Sequence, residues 1–276
     1  MATGTVLVTG ASTGIGEATV LHLKTLGFDA IGAVRKDEDA ERLEGRGVRT
    51  VRIDVTNADQ IAAAGNELGD APLAGLVNNA GIAVAAPLEF LPIEQLRHQL
   101  EINVIGQAAV TQAFLPALRR ARGRIVNVSS IGGRVALPLV SPYSTSKFGL
   151  EGMSDSLRRE LRPHGVEVIV IEPGGVKTPI WGKGRDRADD MLGDVPPEAE
   201  QLYGAMMAKV RSETAKIETE RGMEPHEVAE VIAMALTSDR PKTRYVVGKD
   251  AKLRARMASV LPDRVMDRLI GRALGG

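Results

Sequence analysis

Short apolar runs rich in β-branched residues recur along the chain and alternate with longer amphipathic stretches. Apolar runs of this kind predict the buried strands of a parallel sheet, and the amphipathic stretches predict helices that cover its faces. We predict strands at 5–8, 28–34, 48–53, 73–78, 124–129, 166–171 and 245–247. We predict helices from the glycines after the first strand to Leu26 and over 61–68, 93–119, 143–162 and 225–236. The alternation predicts the α/β class: a Rossmann-like, doubly wound parallel sheet of about seven strands.

The regular pattern loosens after the sixth predicted strand. Residues 178–224 carry Gly, Asp and Pro early and then two weak amphipathic helical stretches. A segment that follows a late strand of such a sheet can close over a site, so we interpret 178–224 as a substrate lid. A surface excursion without a role in binding is the alternative. No Pro/Gly/Ser-rich linker divides the chain, and we predict one catalytic domain over 1–250.

The tail, 251–276, differs in character from the domain before it. An apolar stripe interrupted by Pro262 comprises Leu253, Met257, Val260, Leu261, Val265, Met266, Leu269, Ile270 and Leu274. The opposite face carries Lys252, Arg254, Arg256, Arg264, Arg268 and Arg272. A basic amphipathic helix can lie on an anionic membrane, but such a helix more often packs on its own domain or on a second subunit. We favour packing on the domain.

Composition narrows the classes of function. The chain has 276 residues, with Lys+Arg and Asp+Glu at 35 each, so the overall charge gives no indication of nucleic acid. The absence of Cys excludes disulfides, thiolate nucleophiles and cysteine-bound metals, and the four histidines lack metal-ligand spacing, so we predict no metal site. No apolar run approaches the ~18 residues of a membrane span, and no basic leader precedes the first strand. We therefore expect a cytoplasmic protein.

A glycine-rich turn directly follows the first strand. It has the spacing GxxxGxG and comprises Gly10, Ser12, Thr13, Gly14, Ile15 and Gly16. Glycines let the backbone adopt positive φ and approach a pyrophosphate closely at the N-terminus of the next helix. Strand, glycine-rich turn and helix together predict a dinucleotide site.

The end of the second strand indicates which dinucleotide binds. An NAD site usually has Asp or Glu here for the ribose 2′-hydroxyl, whereas this chain has Arg35 and Lys36. A guanidinium matches a 2′-phosphate, and a carboxylate would repel it. We predict NADP(H), with NAD(H) as the alternative.

Several polar or glycine-containing segments follow the predicted strands directly. Because ligands of doubly wound sheets bind beyond the carboxyl ends of the strands, we expect these segments to form one site. They are 10–16, Arg35, Asp54-Val55, 78–81, Ser130 and Pro173-Gly174.

Tyr143 and Lys147 stand four residues apart, with Ser130 thirteen residues before the tyrosine. If Tyr143 lies in a helix, both side chains share one face. A nearby ammonium favours the phenolate, so we predict that the pKa of Tyr143 falls from about 10 towards neutrality. Such a tyrosine can exchange a proton with a substrate oxygen that Ser130 also hydrogen-bonds.

With these residues in view, the chain resembles the short-chain dehydrogenase/reductase family over nearly its whole length. ThrGlyAlaSerThrGlyIleGly at 9–16, AsnAsnAlaGly at 78–81, Asn103, Ser130, TyrSerThrSerLys at 143–147 and ProGlyGlyValLysThr at 173–178 match its motifs in order. The segments 154–161 and 171–180 look most like the retinol dehydrogenase and 17β-hydroxysteroid dehydrogenase branch. Gly175 departs from relatives that carry a bulkier residue there.

The resemblance implies roles for the individual residues. Tyr143 is the acid/base, Lys147 lowers its pKa and binds the nicotinamide ribose, and Ser130 orients the substrate oxygen. Asn103 holds a water that links Lys147 to solvent. Thr178 and the backbone of Val176 meet the nicotinamide carboxamide, and Asp54 meets the adenine. The expected cofactor site is Gly10, Ser12, Thr13, Gly14, Ile15, Gly16, Arg35, Asp54, Val55, Asn79, Ala80, Gly81, Tyr143, Lys147, Pro173, Gly174, Val176 and Thr178.

The sequence therefore predicts an NADP(H)-dependent carbonyl reductase or alcohol dehydrogenase for a lipophilic ketone or alcohol of steroid, retinoid or acyl type. A nucleotide sensor or scaffold on the same fold, without turnover, is the alternative class. Relatives pair through the helices that hold Asn103 and Tyr143, which implies a homodimer or homotetramer.

Overall fold

A computed structural model of the protein describes residues 4–184 and 197–274. Its central element is a parallel sheet in the order β3-β2-β1-β4-β5-β6-β7. The strands are β1 (Thr5–Thr9), β2 (Asp29–Val34), β3 (Arg49–Arg52), β4 (Leu73–Asn78), β5 (Arg124–Val128), β6 (Glu167–Pro173) and β7 (Arg244–Val247). The order reverses between β1 and β4, which is where a doubly wound sheet opens a ligand crevice. The predicted fold class is confirmed.

Helices cover both faces of the sheet. They are α1 (Gly14–Thr25), α2 (Asp37–Glu44), α3 (Ala58–Leu68), α4 (Ile93–Leu100), α5 (Gly106–Ala121), α6 (Ser141–Leu161), α7 (Pro197–Lys216), α8 (Pro225–Thr237), α9 (Lys249–Val260) and α10 (Asp263–Leu274). The predicted strands and helices are found with end shifts of a few residues. α6 begins at Ser141, before Tyr143, and β6 extends to Pro173.

Two elements differ from the sequence prediction. Asp37 begins α2, a helix that is absent from those predicted from the sequence. That helix was missed because its apolar face has only Ala40 and Leu43, both buried, among charged residues. The single helix expected over 93–119 is interrupted by a π-helical turn at Glu101–Ile105, which joins α4 to α5.

Alternating strand residues divide the core into two layers. Val6 and Val8 of β1 pack with α1 and α8, whereas Leu7 between them packs with the layer that contains Phe114 of α5. Each layer contains fully buried apolar side chains, such as Ile232 in the first and Phe114, 1% exposed, in the second. The two-sided burial explains why the strands appear in the sequence as continuous apolar runs.

Residues after β6 form helices on top of this frame. The sequence predicts two weak helical stretches within 178–224. The part of this segment from residue 197 onward forms a long helix, α7, followed by a π-helical turn at Ile217–Arg221. Residues 185–196, part of the lid predicted from sequence, lie outside the described residues.

The tail forms α9 and α10, separated at Pro262 as the sequence indicated. The contacts differ from the predicted apolar stripe. α9 buries Ala251 and Ala255, and Met266 and Ile270 of the predicted stripe pack against that cluster, while Leu253 and Val260 are 60% and 70% exposed. Within the described residues, no helix is long and apolar enough to cross a membrane.

Candidate active site

The predicted site segments meet at the carboxyl edge of the sheet. Gly10 follows β1, Arg35 follows β2 and Ser130 follows β5. A direct contact joins the first segment to the one after β6: a Cβ atom added at Gly14 would lie 2.9 Å from Cγ2 of Thr178. The fold therefore brings the glycine-rich turn beside the 173–178 segment, as the sequence motifs predicted.

The glycine-rich turn needs glycine at three positions. Gly10 and Gly14 have φ of +64° and +60°, in the left-handed region that disfavours side chains. A Cβ atom at Gly10 would lie 2.7 Å from Cα of Ala80, and one at Gly16 would lie 2.2 Å from the carbonyl oxygen of Gly10. Because these positions carry no side chain, the turn can fold tightly and a ligand can approach its main-chain atoms directly.

The first turn of α1 suits an anion. Thr13, the residue before the helix, makes no side-chain capping hydrogen bond, so it leaves the first backbone N–H groups to a ligand. The other predicted members of the turn make contacts within the protein. Ile15 packs on the core, and the carbonyl of Ser12 accepts a hydrogen bond from Arg42. The arrangement fits the pyrophosphate of a dinucleotide.

Hydrogen bonds fix the segment after β4 against this turn. The hydroxyl of Thr9 accepts from the backbone N–H groups of Asn79 and Ala80 at 2.9 and 3.0 Å. The side-chain amide of Asn79 donates to the carbonyls of Thr9 and Gly10 at 3.0 and 3.2 Å. The two loops that flank the crevice between β1 and β4 are consequently held as one rigid unit.

Arg35 and Asp54 lie together at the far side of the crevice. Nη1 of Arg35 is 3.8 Å from Oδ2 of Asp54, and the arginine side chain is 65% exposed. Burial acts to raise the pKa of Asp54, but hydrogen bonds from Thr56 and the charge of Arg35 hold it below its usual value. The next residue, Val55, belongs to the core, and its carbonyl lies against Gly106.

Asn103 occupies the π-helical turn between α4 and α5. Its side chain accepts from the backbone N–H of Ile82 at 2.9 Å and donates to the carbonyl of Ile82 and to Oγ of Ser146, both at 3.0 Å. The extra residue of a π-turn reorients side chains locally, and such turns occur often at functional sites. The predicted buried amide is therefore fully partnered and links the segment after β4 to α6.

Two glutamines that sequence reasoning missed extend this arrangement. Gln99 accepts from the N–H of Val84 at 2.7 Å and donates to the carbonyl of Ile82 at 2.8 Å. Gln107 donates to the carbonyl of Ala80. With the asparagine between them, these amides contact residues 80, 82 and 84 in turn, and we call the three an amide ladder. The spacing of buried amides along an apolar helix face was the available signal.

Tyr143 is 7% exposed and lies near the N-terminus of α6. Its hydroxyl hydrogen-bonds with the Ser130 side chain, and Oγ of Ser130 accepts from the N–H of Gly132 at 3.0 Å. A Cβ atom at Gly132 would lie 3.2 Å from the tyrosine ring, so the turn after β5 packs directly on that ring. The predicted Ser130–Tyr143 pair is present.

Lys147 lies one turn further along α6 and is 5% exposed. Its ammonium donates to the carbonyl of Val128 at 2.9 Å and lies 5.7 Å from the centre of the Tyr143 ring. Burial lowers the pKa of Lys147 to about 8, against the opposing effect of the Glu151 charge. The amine is therefore still mostly protonated at neutral pH, with a small margin.

The prediction of a lowered tyrosine pKa is wrong for this structure. Burial raises the pKa of Tyr143, and the hydrogen bond with Ser130 opposes that rise. The sequence showed the i,i+4 ammonium but not the burial of the phenol. The hydroxyl is thus held in its protonated form, which is the form of a proton donor.

An apolar wall surrounds the tyrosine on its open side. The Tyr143 ring lies 5.3 Å from the ring of Trp181, centre to centre, at a tilt of 58°. The other members of this cluster are Ala83, Ala85, Leu137, Val140 and Ile180. This side of the tyrosine ring is therefore lined by apolar side chains.

The 173–178 segment is held by the chain that returns from α7. Val176 forms an isolated bridge with Met223, whose N–H donates to the carbonyl of Gly175 at 3.0 Å. A Cβ atom at Gly175 would lie 2.8 Å from Cγ2 of Ile217, so Ile217 fills the space that a bulkier residue would need. This packing explains the departure at Gly175. Pro173 ends β6, and the N–H of Gly174 donates to β7.

Comparison with known proteins agrees with this geometry. A family model described as short chain dehydrogenase matches residues 4–189. An NADPH-dependent 3-dehydrocapnine reductase from Ornithobacterium rhinotracheale is 35% identical over 275 residues, which cover 95% of this chain and 94% of the relative. Human retinol dehydrogenase 16 is 37% identical over 276 residues, or 96% and 87% of the two chains.

The fold also resembles solved structures. A short chain dehydrogenase from Burkholderia cenocepacia, solved in complex with NADP, matches with a TM-score of 0.74 and 29% identity, and the match covers 96% of this chain and 97% of that one. The family motif, relatives along nearly the whole length and the shared fold agree. The protein belongs to the short-chain dehydrogenase family of oxidoreductases.

Proposed function

We propose that the protein is an NADP(H)-dependent reductase or dehydrogenase that interconverts a lipophilic ketone and its alcohol, with Tyr143 as the acid/base. One observation carries the proposal: the buried, protonated hydroxyl of Tyr143 is hydrogen-bonded to Ser130, and its ring faces an apolar wall that includes Trp181. A polar substrate would leave its own groups unpaired there, whereas a steroid-, retinoid- or acyl-like ketone would bury apolar surface.

The residues of the crevice fit a dinucleotide. The glycine-rich turn and the open first turn of α1 would hold its pyrophosphate, Asp54 its adenine, and the 173–178 segment with Lys147 its nicotinamide half. Arg35 offers a guanidinium to a 2′-phosphate, which favours NADP(H) over NAD(H). A relative is described as NADPH-dependent and a similar structure contains NADP, which supports the same choice.

When bound, the cofactor supplies or accepts the hydride. The chain's own residues would do the remainder of the chemistry. In reduction, Tyr143 gives its hydroxyl proton to the substrate oxygen while Ser130 hydrogen-bonds that oxygen and orients it. Lys147 stabilises the phenolate left behind, and the Asn103 side chain fixes the segment that backs the site. Alcohol oxidation reverses these steps.

Two further features belong to this proposal. Residues 178–224 would act as the substrate lid: the hydroxyl of Tyr203 on α7 donates to Glu89, in the segment after β4, at 2.8 Å. The exposed apolar side chains Ile93, Ile105 and Phe148 lie along α4, the π-helical turn and α6, and they suit pairing of two copies into a homodimer or a larger homo-oligomer.

The test combines binding and turnover. Purified protein is titrated with NADPH and NADH, and absorbance at 340 nm is followed with a panel of hydrophobic ketones. We expect tighter NADPH binding and oxidation of NADPH by at least one ketone. Tyr143→Phe should lower kcat by about 10²–10⁴-fold while NADPH affinity is retained, because only the proton donor is removed.

Other outcomes distinguish the alternatives. Tight binding of NADPH without turnover of any ketone or alcohol would favour the sensor or scaffold. Tighter binding of NADH would overturn the assignment of Arg35. Rates of Tyr143→Phe equal to those of the wild type would overturn the role of Tyr143.

A further inference from the structure

A second group of charged residues lies buried beside the catalytic pair. Glu151 follows Lys147 by one turn of α6, and Glu172 of β6 is fully buried. Nε of Arg244, on β7, lies 3.0 Å from Oε2 of Glu151 and 3.3 Å from Oε1 of Glu172. Nε of Arg134 donates to the same Glu172 oxygen at 2.9 Å. The sequence motifs gave no indication of this cluster.

The cluster joins the elements that carry the catalytic groups. α6 carries Tyr143 and Lys147, the turn after β5 carries Ser130, and β6 leads into the 173–178 segment. A Cβ atom at Gly133 would lie 3.1 Å from Cγ of Glu151 and 3.2 Å from the carbonyl oxygen of Lys147. The turn after β5 therefore crosses α6 in close contact with the Lys147–Glu151 turn of the helix.

The arginines satisfy the hydrogen-bonding capacity of the two glutamates only in part. Within the described residues, Oε1 of Glu151 and Oε2 of Glu172 are buried and make no hydrogen bond. Arg244 is also shared with a third carboxylate, Asp155, at 2.9 Å. Burial and the charge of Glu151 raise the pKa of Glu172, against the effect of the two arginines. The raised pKa favours the neutral form of Glu172, so Glu151 is the carboxylate whose charge acts on Lys147 from one helical turn away.

A buried ammonium needs such a charge. Lys147 loses most of its hydration, and its hydrogen bond to Val128 supplies a single neutral acceptor. A nearby carboxylate favours the charged amine. The titratable and charged groups around Glu151 are Lys147 and Asp155 on α6, Glu172 on β6, Arg244 on β7 and Arg134 after β5; Tyr143 adjoins Lys147, and Arg158 binds Asp155.

We propose that Glu151 is a positioning residue for Lys147: held by Arg244 and backed by Glu172, it keeps the catalytic ammonium charged at neutral pH. Glu151 does not contact the reacting atoms in this role. Its influence passes through Lys147 to the phenolate of Tyr143. The inference rests on the proposed function only where turnover is measured, and the first test below needs no turnover.

The first test measures the charge state of Lys147 directly. The protein is labelled with lysine carrying ¹³C at Cε, and the Lys147 resonance is assigned as the one lost in Lys147→Arg. Its titration midpoint should lie near pH 8 in the wild type, the value that burial gives this amine. In Glu151→Gln the midpoint should fall by about one pH unit, and in Glu151→Asp it should stay close to that of the wild type.

Asp155→Asn is the matched control. It removes another carboxylate from Arg244, but at a position two further turns along α6 from Lys147. A merely structural role of these acids would affect both variants alike in thermal stability and leave the midpoint unmoved. Equal midpoints in the wild type, Glu151→Gln and Asp155→Asn would overturn the proposal.

The second test uses the pH profile of kcat/KM, which reports groups of the free enzyme. The alkaline limb should move to lower pH by about one unit in Glu151→Gln and stay in place in Asp155→Asn. An NMR shift without any turnover in the wild type would leave the positioning role intact and overturn the proposed function. If the wild type is active and the alkaline limb of its kcat/KM profile is the same in all variants, the positioning role is overturned and the proposed function stands.

Arg244→Gln keeps the idea testable if Glu151→Gln does not fold. It removes the cation bound to Glu151 and so strengthens the negative field at Lys147. The midpoint of Lys147 should then rise above its wild-type value, opposite to the effect of removing the carboxylate. A fall in Arg244→Gln would contradict the proposal.

Discussion

The amide ladder gives a sharp test of what holds the segment after β4. We predict that Gln99→Leu destabilises the protein by about 2 kcal/mol, because it leaves a buried donor without a partner. Gln99 is fully buried and is the acceptor for the N–H of Val84, which is itself 1% exposed. The carbonyl of Ile82 keeps its second donor, Asn103, at 3.0 Å.

The magnitude follows from counting the groups left unpaired. One orphaned buried N–H costs about 1–3 kcal/mol, and leucine has nearly the volume of glutamine, so no large cavity adds to that cost. Gln95 on the same helix provides the control. Its Oε1 is buried without a hydrogen bond within the described residues, so Gln95→Leu should change stability by less than about 0.5 kcal/mol.

Urea unfolding followed by fluorescence and circular dichroism measures the difference, with kcat/KM measured beside it. The segment held by Gln99 includes Ala83 of the apolar wall, so Gln99→Leu should also lower kcat/KM more than Gln95→Leu does. Equal stability of the two variants would refute the reasoning, since it would mean that the ladder does not hold the segment.

Three shorter predictions concern the cofactor site and Lys147. Arg35→Asp should lower the NADPH/NADH ratio of kcat/KM about 10–100-fold through loss of charge-assisted hydrogen bonds. Arg49→Asp, at the amino end of β3, should leave that ratio unchanged. An unchanged ratio in Arg35→Asp would contradict the 2′-phosphate assignment. Gly16→Ala should weaken NADPH binding more than tenfold in a fluorescence titration, because the new Cβ would lie 2.2 Å from the carbonyl oxygen of Gly10. Unchanged affinity would contradict the requirement for glycine in this turn. The pKa of Lys147 is lowered from 10.5 to about 8, so between these pH values the unfolded chain binds more protons than the folded protein. The free energy of unfolding of the wild type should therefore rise with pH across that window relative to that of Lys147→Met. The same pH dependence in both proteins would contradict this prediction.

Sequence alone predicted the frame of the molecule and most of the site. Strands buried on both faces give unmistakable apolar runs, and the glycine-rich turn, Ser130, Tyr143 and Lys147 follow from local spacing. α2 escaped because a short helix on the surface needs only two apolar residues. The stripe in the tail was correct for Met266 and Ile270 of α10 but not for α9, which buries its alanines and leaves Leu253 exposed.

The remainder depended on contacts between distant segments. Glu151 and Arg244 are 93 residues apart, and no local pattern connects them. The pKa of Tyr143 depends on burial by the turn at Gly132 and by Trp181, which neighbouring residues in the sequence do not reveal. The electrostatics of buried groups therefore requires the folded structure, whereas the candidate catalytic residues can be selected from the sequence.

The position of β1 has a consequence for biosynthesis. β1 leaves the ribosome before β2 and β4, yet it lies inside the sheet and pairs with both of them. Roughly 70 further residues must emerge before β4 is complete, which takes several seconds at about 5–20 residues per second. During that time one edge of an apolar strand has no native partner. Nascent chains that stall before β4 emerges should therefore be the ones most dependent on chaperones.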